Sequence, residues 1–183
     1  MTTAFKDGSQ VEVGMFGYEG AIGLSALMGS KRSFNRVYTQ IAGHGYSSPV
    51  GVAKEEFDRC ADFQTLALRY VQIQLVQAAQ SAGCNARHHL EKRLARWLLL
   101  CADRIQMNSF NMPQEFLAAM LGTTRPTVSL AAGRLKEMGL IEYSRGLIRI
   151  LDATGLEEEA CECYRLLKDQ LDNYVEFESG IAV

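Results

Sequence analysis

The stretch Pro113–Ile141, PQEFLAAMLGTTRPTVSLAAGRLKEMGLI, decides the fold. Phe116, Leu117, Met120 and Leu121 recur at helical spacing and give a first short helix one apolar stripe. Gly122 permits a sharp turn, and Thr123 and Thr124 are placed to cap the amides that follow. Pro126 falls in the first turn of a second helix, where a missing N–H costs nothing because the opening amides have no intrahelical partner. In that helix Val128, Ala131, Ala132, Leu135 and Met138 are expected inward, leaving Arg125, Pro126, Thr127, Ser129, Leu130, Gly133 and Arg134 outward. Two short helices joined by a tight glycine turn predict a helix-turn-helix.

The outward side of the second helix carries few charges, and acidic residues wait until Glu137. An ordinary solvated helix face is rich in Glu and Lys, whereas a surface that enters the major groove of DNA needs short polar side chains and an arginine. Beyond Gly139, Ile141–Ser144 and Leu147–Ile150 run apolar or alternate around Arg145 and Gly146, which predicts a two-stranded hairpin, the wing. Upstream, residues 88–105 predict a helix with Leu90, Leu94, Trp97, Leu98, Cys101 and Ile105 on one face and Arg87, Lys92, Arg93 and Arg96 elsewhere. Helix, helix, turn, helix, hairpin is the order of a winged helix-turn-helix.

Further toward the N-terminus, residues 54–83 lack turn residues and predict one long helix. Leu68, Val71, Leu75, Ala78 and Ala82 step by three and four residues, the repeat of a seam between two helices, so a second copy of the chain is the expected partner. Leu66, Tyr70 and Ile73 form a second stripe beside the seam, facing the helix's own domain. Gly83 and Asn85 mark a hinge between Ser81 and His89. Before the helix, glycines at 8, 14, 17, 20, 23, 29, 43 and 45 among short runs such as Val11, Val13 and Val37, Tyr38, Ile41 predict strands and tight turns. The expected organisation is a partial β-roll effector-like unit over 1–53, the long dimerisation helix and hinge over 54–85, the winged helix-turn-helix over 86–165 and an acidic tail over 166–183. The fold class is α+β.

The charge supports that division. The 183 residues carry a net charge of −2, yet residues 86–149 hold 10 Lys/Arg against 5 Asp/Glu while residues 150–183 hold 2 against 9. Phosphate attraction acts within about a Debye length, roughly 8 to 10 Å, so a locally basic segment suffices for a double-stranded DNA partner. No run approaches the ~20 apolar residues of a membrane span and no charged start precedes a hydrophobic run, so a cytoplasmic protein without a membrane partner is expected. Five cysteines without framework spacing predict free thiols.

With these features in place the chain resembles the Crp/Fnr family of regulators over about residues 11–165. The likeness rests on Arg125-Pro126-Thr127-Val128-Ser129 at the start of the second helix, on Gly139-Leu140-Ile141 before the wing, and on the long helix that joins them to a glycine-rich β region. It implies a cyclic-nucleotide-binding-like β-roll, a dimerisation helix, a winged helix-turn-helix, and RNA polymerase as a further partner. It also implies DNA contacts at Thr124, Arg125, Pro126, Thr127, Ser129, Arg134 and, on the wing, Arg145. Where the cAMP receptor protein reads bases with a glutamate and a second arginine, this sequence has Pro126 and Leu130, which implies a different operator. Relatives that bind cyclic nucleotides offer a Gly-Glu pair to the ribose; here Leu24 follows Gly23, so no cyclic nucleotide is expected, and Arg32 and Arg36 are read as exposed turn arginines. Family members have several more strands before the point where this chain begins, so a late start or a shortened, partly open sheet is expected, and no effector is assigned.

Other chemistries fare worse. The glycines of Gly14–Gly29 lack the G-x-G-x-x-G spacing of a dinucleotide site. His88 and His89 are adjacent and on a helix point about 100° apart, so they do not share a metal. His44 sits in a Gly-rich turn. Cys161 and Cys163, two apart on an expected helix, are read as diverging, and Cys60, Cys84 and Cys101 do not form the clustered set of the family's iron-sulfur sensors. Neither a metal nor any other cofactor, and no enzyme activity, is expected. Glu157–Glu159 with Leu166, Leu167 and Leu171 is read as a solvated amphipathic helix. The competing class is a winged-helix module that docks on another protein without specific DNA binding.

Overall fold

The computed structural model describes residues 1–59 and 61–181. Two short strands, β1 (Thr2–Ala4) and β2 (Gln10–Glu12), precede helices α1 (Leu24–Leu27), α2 (Val50–Arg59), α3 (Ala61–Arg87) and α4 (Leu90–Ile105). Strand β3 (Ser109–Asn111), helices α5 (Gln114–Met120) and α6 (Arg125–Glu137), strands β4 (Ile141–Ser144) and β5 (Leu147–Ile150), and helices α7 (Ala153–Glu159) and α8 (Cys163–Ile181) complete the chain. The α+β class and the order of its parts are as expected.

Helix α4 is the hub of the main core. Leu94, Trp97, Leu98 and Cys101 are buried together with Leu117, Val128, Leu135, Ile148 and Leu156, so α5, α6, the wing and α7 all close on one helix. Each large side chain buried in this way contributes roughly 1.5–3 kcal/mol relative to exposure. Arg96 was expected off the apolar face, and because α4 is covered nearly all round Arg96 is nevertheless buried. The wing is a three-stranded antiparallel sheet in the order β3-β5-β4, wider than the expected hairpin. Its tip, Arg145 and Gly146, has φ of 50° and 85°, the pair of left-handed residues that a two-residue turn matched to strand twist requires. Tyr143 Oη donates to Met112 O at 2.7 Å and ties β4 to the segment after β3.

The N-terminal part carries less sheet than expected. β1 pairs with β2 over three residues, and only a single bridge, Thr2 to Arg36, extends that sheet. Val37, Tyr38 and Ile41 are not in strands. Their rings and methyls are used differently: Tyr38 meets Phe116 of α5 edge to face at 6.0 Å, and Ile41 packs on the main core. β2 is likewise anchored to α4, because Trp97 Nε1 donates to Glu12 Oε2 at 3.0 Å.

The helix expected over 54–83 begins earlier, at Val50, and is described as α2 and α3 on either side of Cys60, which lies outside the described residues. Phe57 of α2 and Phe63 of α3 meet edge to face at 6.3 Å. At the other end α3 runs past Gly83 and Asn85 to Arg87, so the helix breaks at His88–His89, the C-terminal end of the 81–89 stretch in which a hinge was expected. An interior glycine costs a helix only about 1 kcal/mol. Here Cys84 is buried in the last turn and holds that turn in place.

The acidic tail expected over 166–183 is the body of α8, which starts at Cys163. Leu167, Leu171 and Tyr174 are buried, Leu166 alone of its expected stripe being exposed, and Tyr174 lies 5.6 Å from Tyr70 of α3. The leucines make α8 a brace across α3 and α4 instead of a solvated appendage. A buried polar network joins the same helices to the N-terminal part: Arg104 Nε stands 3.5 Å from Glu19 Oε1 and Arg104 Nη2 donates to Gln77 Oε1 at 3.0 Å. Among the described residues no helix is long and apolar enough to cross a membrane.

Candidate nucleic-acid interface

The turn between α5 and α6 is built by its backbone. Gly122 has φ of 62°, the Thr123 amide bonds Ala118 O at 2.9 Å, and Thr124 is extended at the start of α6. The expected capping is positional only. Neither threonine's side chain binds a helix amide; Thr124 Oγ1 and Thr127 Oγ1 bond each other at 2.7 Å on the exposed side. Val128, Ala131, Ala132 and Leu135 are buried as expected. Met138 is not: α6 ends at Glu137, and Met138, one position beyond, turns out to 52% exposure.

Thr124, Arg125, Pro126 and Thr127 form one exposed ridge at the start of α6, with Leu130 70% exposed one turn further and Ser129 half-buried at its flank. Arg125 Nη1 lies 3.0 Å from Glu115 Oε1 of α5. Ser129 Oγ donates to Gln114 Oε1 at 2.7 Å, and the guanidinium of Arg134 pairs with Glu91 of α4. Arg145 is exposed at the wing tip, away from the α6 ridge in sequence but on the same winged unit. The geometry therefore joins Thr124, Arg125, Pro126, Thr127 and Ser129 in one surface, holds Arg134 toward α4, and leaves Arg145 as a separate exposed cation at the wing tip. Sequence reasoning missed Gln114, Glu115 and Glu91, the polar partners that orient these side chains. Their signal was the pair Gln114-Glu115 opening the first helix of the motif.

Tyr143 behind the wing has its phenol pushed up to about 12 by burial, so it stays a donor to Met112 O at any ordinary pH. The reading that Cys161 and Cys163 diverge is overturned. The expected helix is broken after Glu159, Cys161 lies in the connection and Cys163 opens α8, so both thiols reach Cys84 and His88. Cys84, Cys101, Cys161 and Cys163 are free, while Cys60 lies outside the described residues. Arg32 and Arg36 are exposed, and Arg32 lines a pocket with Gly23, Leu24, Ser25 and Lys31.

A helix pair with a glycine turn, an exposed polar ridge on its second helix and a three-stranded wing define a winged helix-turn-helix. Residues 92–159 match the family model described as the Crp-like helix-turn-helix domain. The resemblance to the Crp/Fnr family holds: residues 92–159 are similar to the Crp-like helix-turn-helix domain, and the fold is similar to that of Crp/Fnr regulators. The curated "Probable transcriptional regulator flp" of Lacticaseibacillus casei is 35% identical over 111 residues, which cover 54% of this chain and 51% of that protein. The chain thus spans about half the length of the curated relative it matches. A Crp/Fnr-family regulator from Thermus thermophilus superposes with a TM-score of 0.62 at 20% identity, covering 87% of this chain and 81% of that one. Another from Eubacterium rectale gives 0.59 at 18% identity, covering 86% and 74%. At those identities the likeness is one of fold.

Proposed function

We propose that the chain is a sequence-specific DNA-binding transcription regulator that acts as a homodimer on a two-fold symmetric operator. The observation that carries this reading is the outward ridge of α6, where Thr124, Arg125, Pro126 and Thr127 stand exposed on a helix whose other side is locked into the core by Val128, Ala131 and Leu135. An arginine bidentate to guanine contributes roughly 1–3 kcal/mol of discrimination, and hydroxyls such as those of Thr124 and Thr127 bind phosphate and set position. Arg145 reaches the flanking backbone from the wing.

The dimer is supported by α3. Tyr70 and Ile73 turn into their own chain, whereas Leu68 and Leu75 are 47% and 62% exposed on the seam face with Val71, Ala78 and Ala82 between and beyond them. An apolar stripe with this repeat is covered by a second copy in a two-helix seam. Two α6 helices related by that axis would meet half-sites about one helical turn apart, and the bound dimer would recruit or block RNA polymerase. The test is selection of binding sites from random duplex DNA by purified protein. A palindromic enriched sequence is the expected result. Recovery of no preferred sequence at any salt concentration overturns the reading.

A further inference from the structure

Four side chains far apart in sequence meet at the junction between α3 and the winged unit. Cys84 and His88 lie one helical turn apart at the end of α3, Cys161 lies in the α7–α8 connection and Cys163 opens α8. Their sulfur and ring-nitrogen atoms all fall within 4.8 Å of one another. Cys84 Sγ is 3.5 Å from Cys161 Sγ, and Cys163 Sγ is 3.6 Å from His88 Nδ1. The three cysteines are buried and the His88 side chain is 17% exposed.

We propose that Cys84, His88, Cys161 and Cys163 form a mononuclear metal centre for a divalent ion of the zinc class. Three thiolates and one imidazole are a closed structural set for zinc, and a tetrahedron with metal–sulfur bonds of about 2.3 Å has edges of about 3.8 Å; here two edges measure 3.5 and 3.6 Å and none exceeds 4.8 Å. A multi-iron cluster does not fit, because its thiolates bind different irons and stand around a cluster too large for four ligand atoms that lie within 4.8 Å of one another. A Cys84–Cys161 disulfide accounts for two of the four groups and leaves the convergence of Cys163 and His88 without a cause.

The surroundings are those of a metal site. With Nδ1 turned to the sulfurs, His88 Nε2 lies 3.2 Å from Glu162 Oε1, the carboxylate–histidine arrangement that fixes the tautomer and leaves the other nitrogen free to ligate. Gln80 Nε2 donates to Cys163 Sγ at 3.0 Å, as an outer hydrogen bond to a thiolate does. Three thiolates around a divalent ion leave one negative charge. Arg96 is buried within electrostatic reach of Cys84 and Cys161, and its Nε has no hydrogen-bond partner, so a positive charge stands ready against that excess. The ion would join the last turn of α3 to the first turn of α8 across the His88–His89 break, pinning the dimerisation helix to the winged unit. That coupling to DNA rests on the function proposed above; metal occupancy does not.

The test begins with full-length protein purified anaerobically with reductant. Elemental analysis is expected to find zinc or another divalent transition ion in stoichiometric amount. Replacement by Co²⁺ is expected to give the intense visible bands of a tetrahedral thiolate site. Cys161→Ser and His88→Ala, each of which removes a ligand, should weaken retention in a chelator competition by more than the roughly 10- to 100-fold that loss of an outer hydrogen-bond partner such as Gln80 costs. Cys101→Ser, a buried cysteine outside the cluster, should leave the cobalt spectrum unchanged. If Cys161→Ser does not fold, the wild-type spectrum and His88→Ala still decide. Wild-type protein that holds no metal and gives no cobalt bands overturns the proposal, as does a Cys84–Cys161 disulfide mapped in metal-free protein. Metal retained without sequence-specific DNA binding counts against the regulator reading alone.

Discussion

Arg125 at the head of α6 rests its guanidinium 3.0 Å from the carboxylate of Glu115 on the preceding helix, and both side chains are more than half exposed. An exposed pair of this kind contributes ~0–1 kcal/mol to stability, so DNA can take the arginine from it at little cost. Glu115 then acts as a placeholder that keeps Arg125 pointing out of the α5–α6 corner. Arg125→Ala is expected to weaken specific binding by roughly 1–3 kcal/mol while leaving the thermal midpoint within a degree or two. Arg125→Lys should not restore it, because the planar two-pronged contact is lost. Fluorescence anisotropy on the selected operator, beside a thermal melt, checks both; unchanged affinity removes Arg125 from the interface.

The seam face of α3 yields the second prediction. Leu75 is 62% exposed in the single chain, so Leu75→Glu is expected to leave the fold intact yet to place a charge in the middle of the proposed two-helix seam. Val71→Glu, one turn earlier, acts in the same way. Light scattering coupled to size exclusion should show the variants at lower mass than wild type, with unchanged far-UV circular dichroism. A wild-type protein that already runs as a monomer contradicts the seam.

The helix-turn-helix was legible because its physics is local. Glycine at a positive-φ turn, proline in a first turn and the spacing of Val128, Ala131, Ala132 and Leu135 act within a few residues of one another. What escaped was the chemistry made by distant partners. Cys84 and Cys161 are 77 positions apart, and no spacing rule joins them; the connection after Glu159 that carries Cys161 to Cys84 runs between α7, packed on α4, and α8, packed on α3 and α4. The same holds for α8, whose acidic composition suggested solvent although Leu167, Leu171 and Tyr174 supply a buried face. The N-terminal runs misled for the opposite reason: Tyr38 and Ile41 are apolar because they dock on the winged unit, not because they lie in strands.

Arg104 and Glu19 carry the third prediction. Their side chains are 4% and 0% exposed, and the pair joins α4 to the loop before α1 while Gln77 of α3 accepts from the same guanidinium. Removing one member leaves the other charge buried and unpaired, which costs about 3–5 kcal/mol. Arg104→Met and Glu19→Gln are each expected to lower the urea midpoint sharply, and Glu19→Leu combined with Arg104→Met to recover a large part of the loss. Equal and additive losses in the single and double variants show that the two side chains do not act as a pair.

Asp103 provides a pH test of how α8 is held. Burial pushes its carboxyl above the ordinary range, while the hydrogen bond from Tyr164 Oη, 3.0 Å from Oδ2, and the charge of Lys168 pull it back only in part. With the folded-state value above the unfolded one, the folded protein binds the proton more tightly, so this group adds stability at low pH and loses that contribution as pH rises through its folded value. Asp103→Asn keeps an acceptor for Tyr164 but has no proton to lose. The variant is therefore expected to fall less in stability than wild type as pH rises from the unperturbed aspartate range to just above it, and to match it most closely at the acid end. Urea titrations at closely spaced pH values measure the difference, and parallel curves for the two proteins place the pH sensitivity of this α4–α8 contact elsewhere.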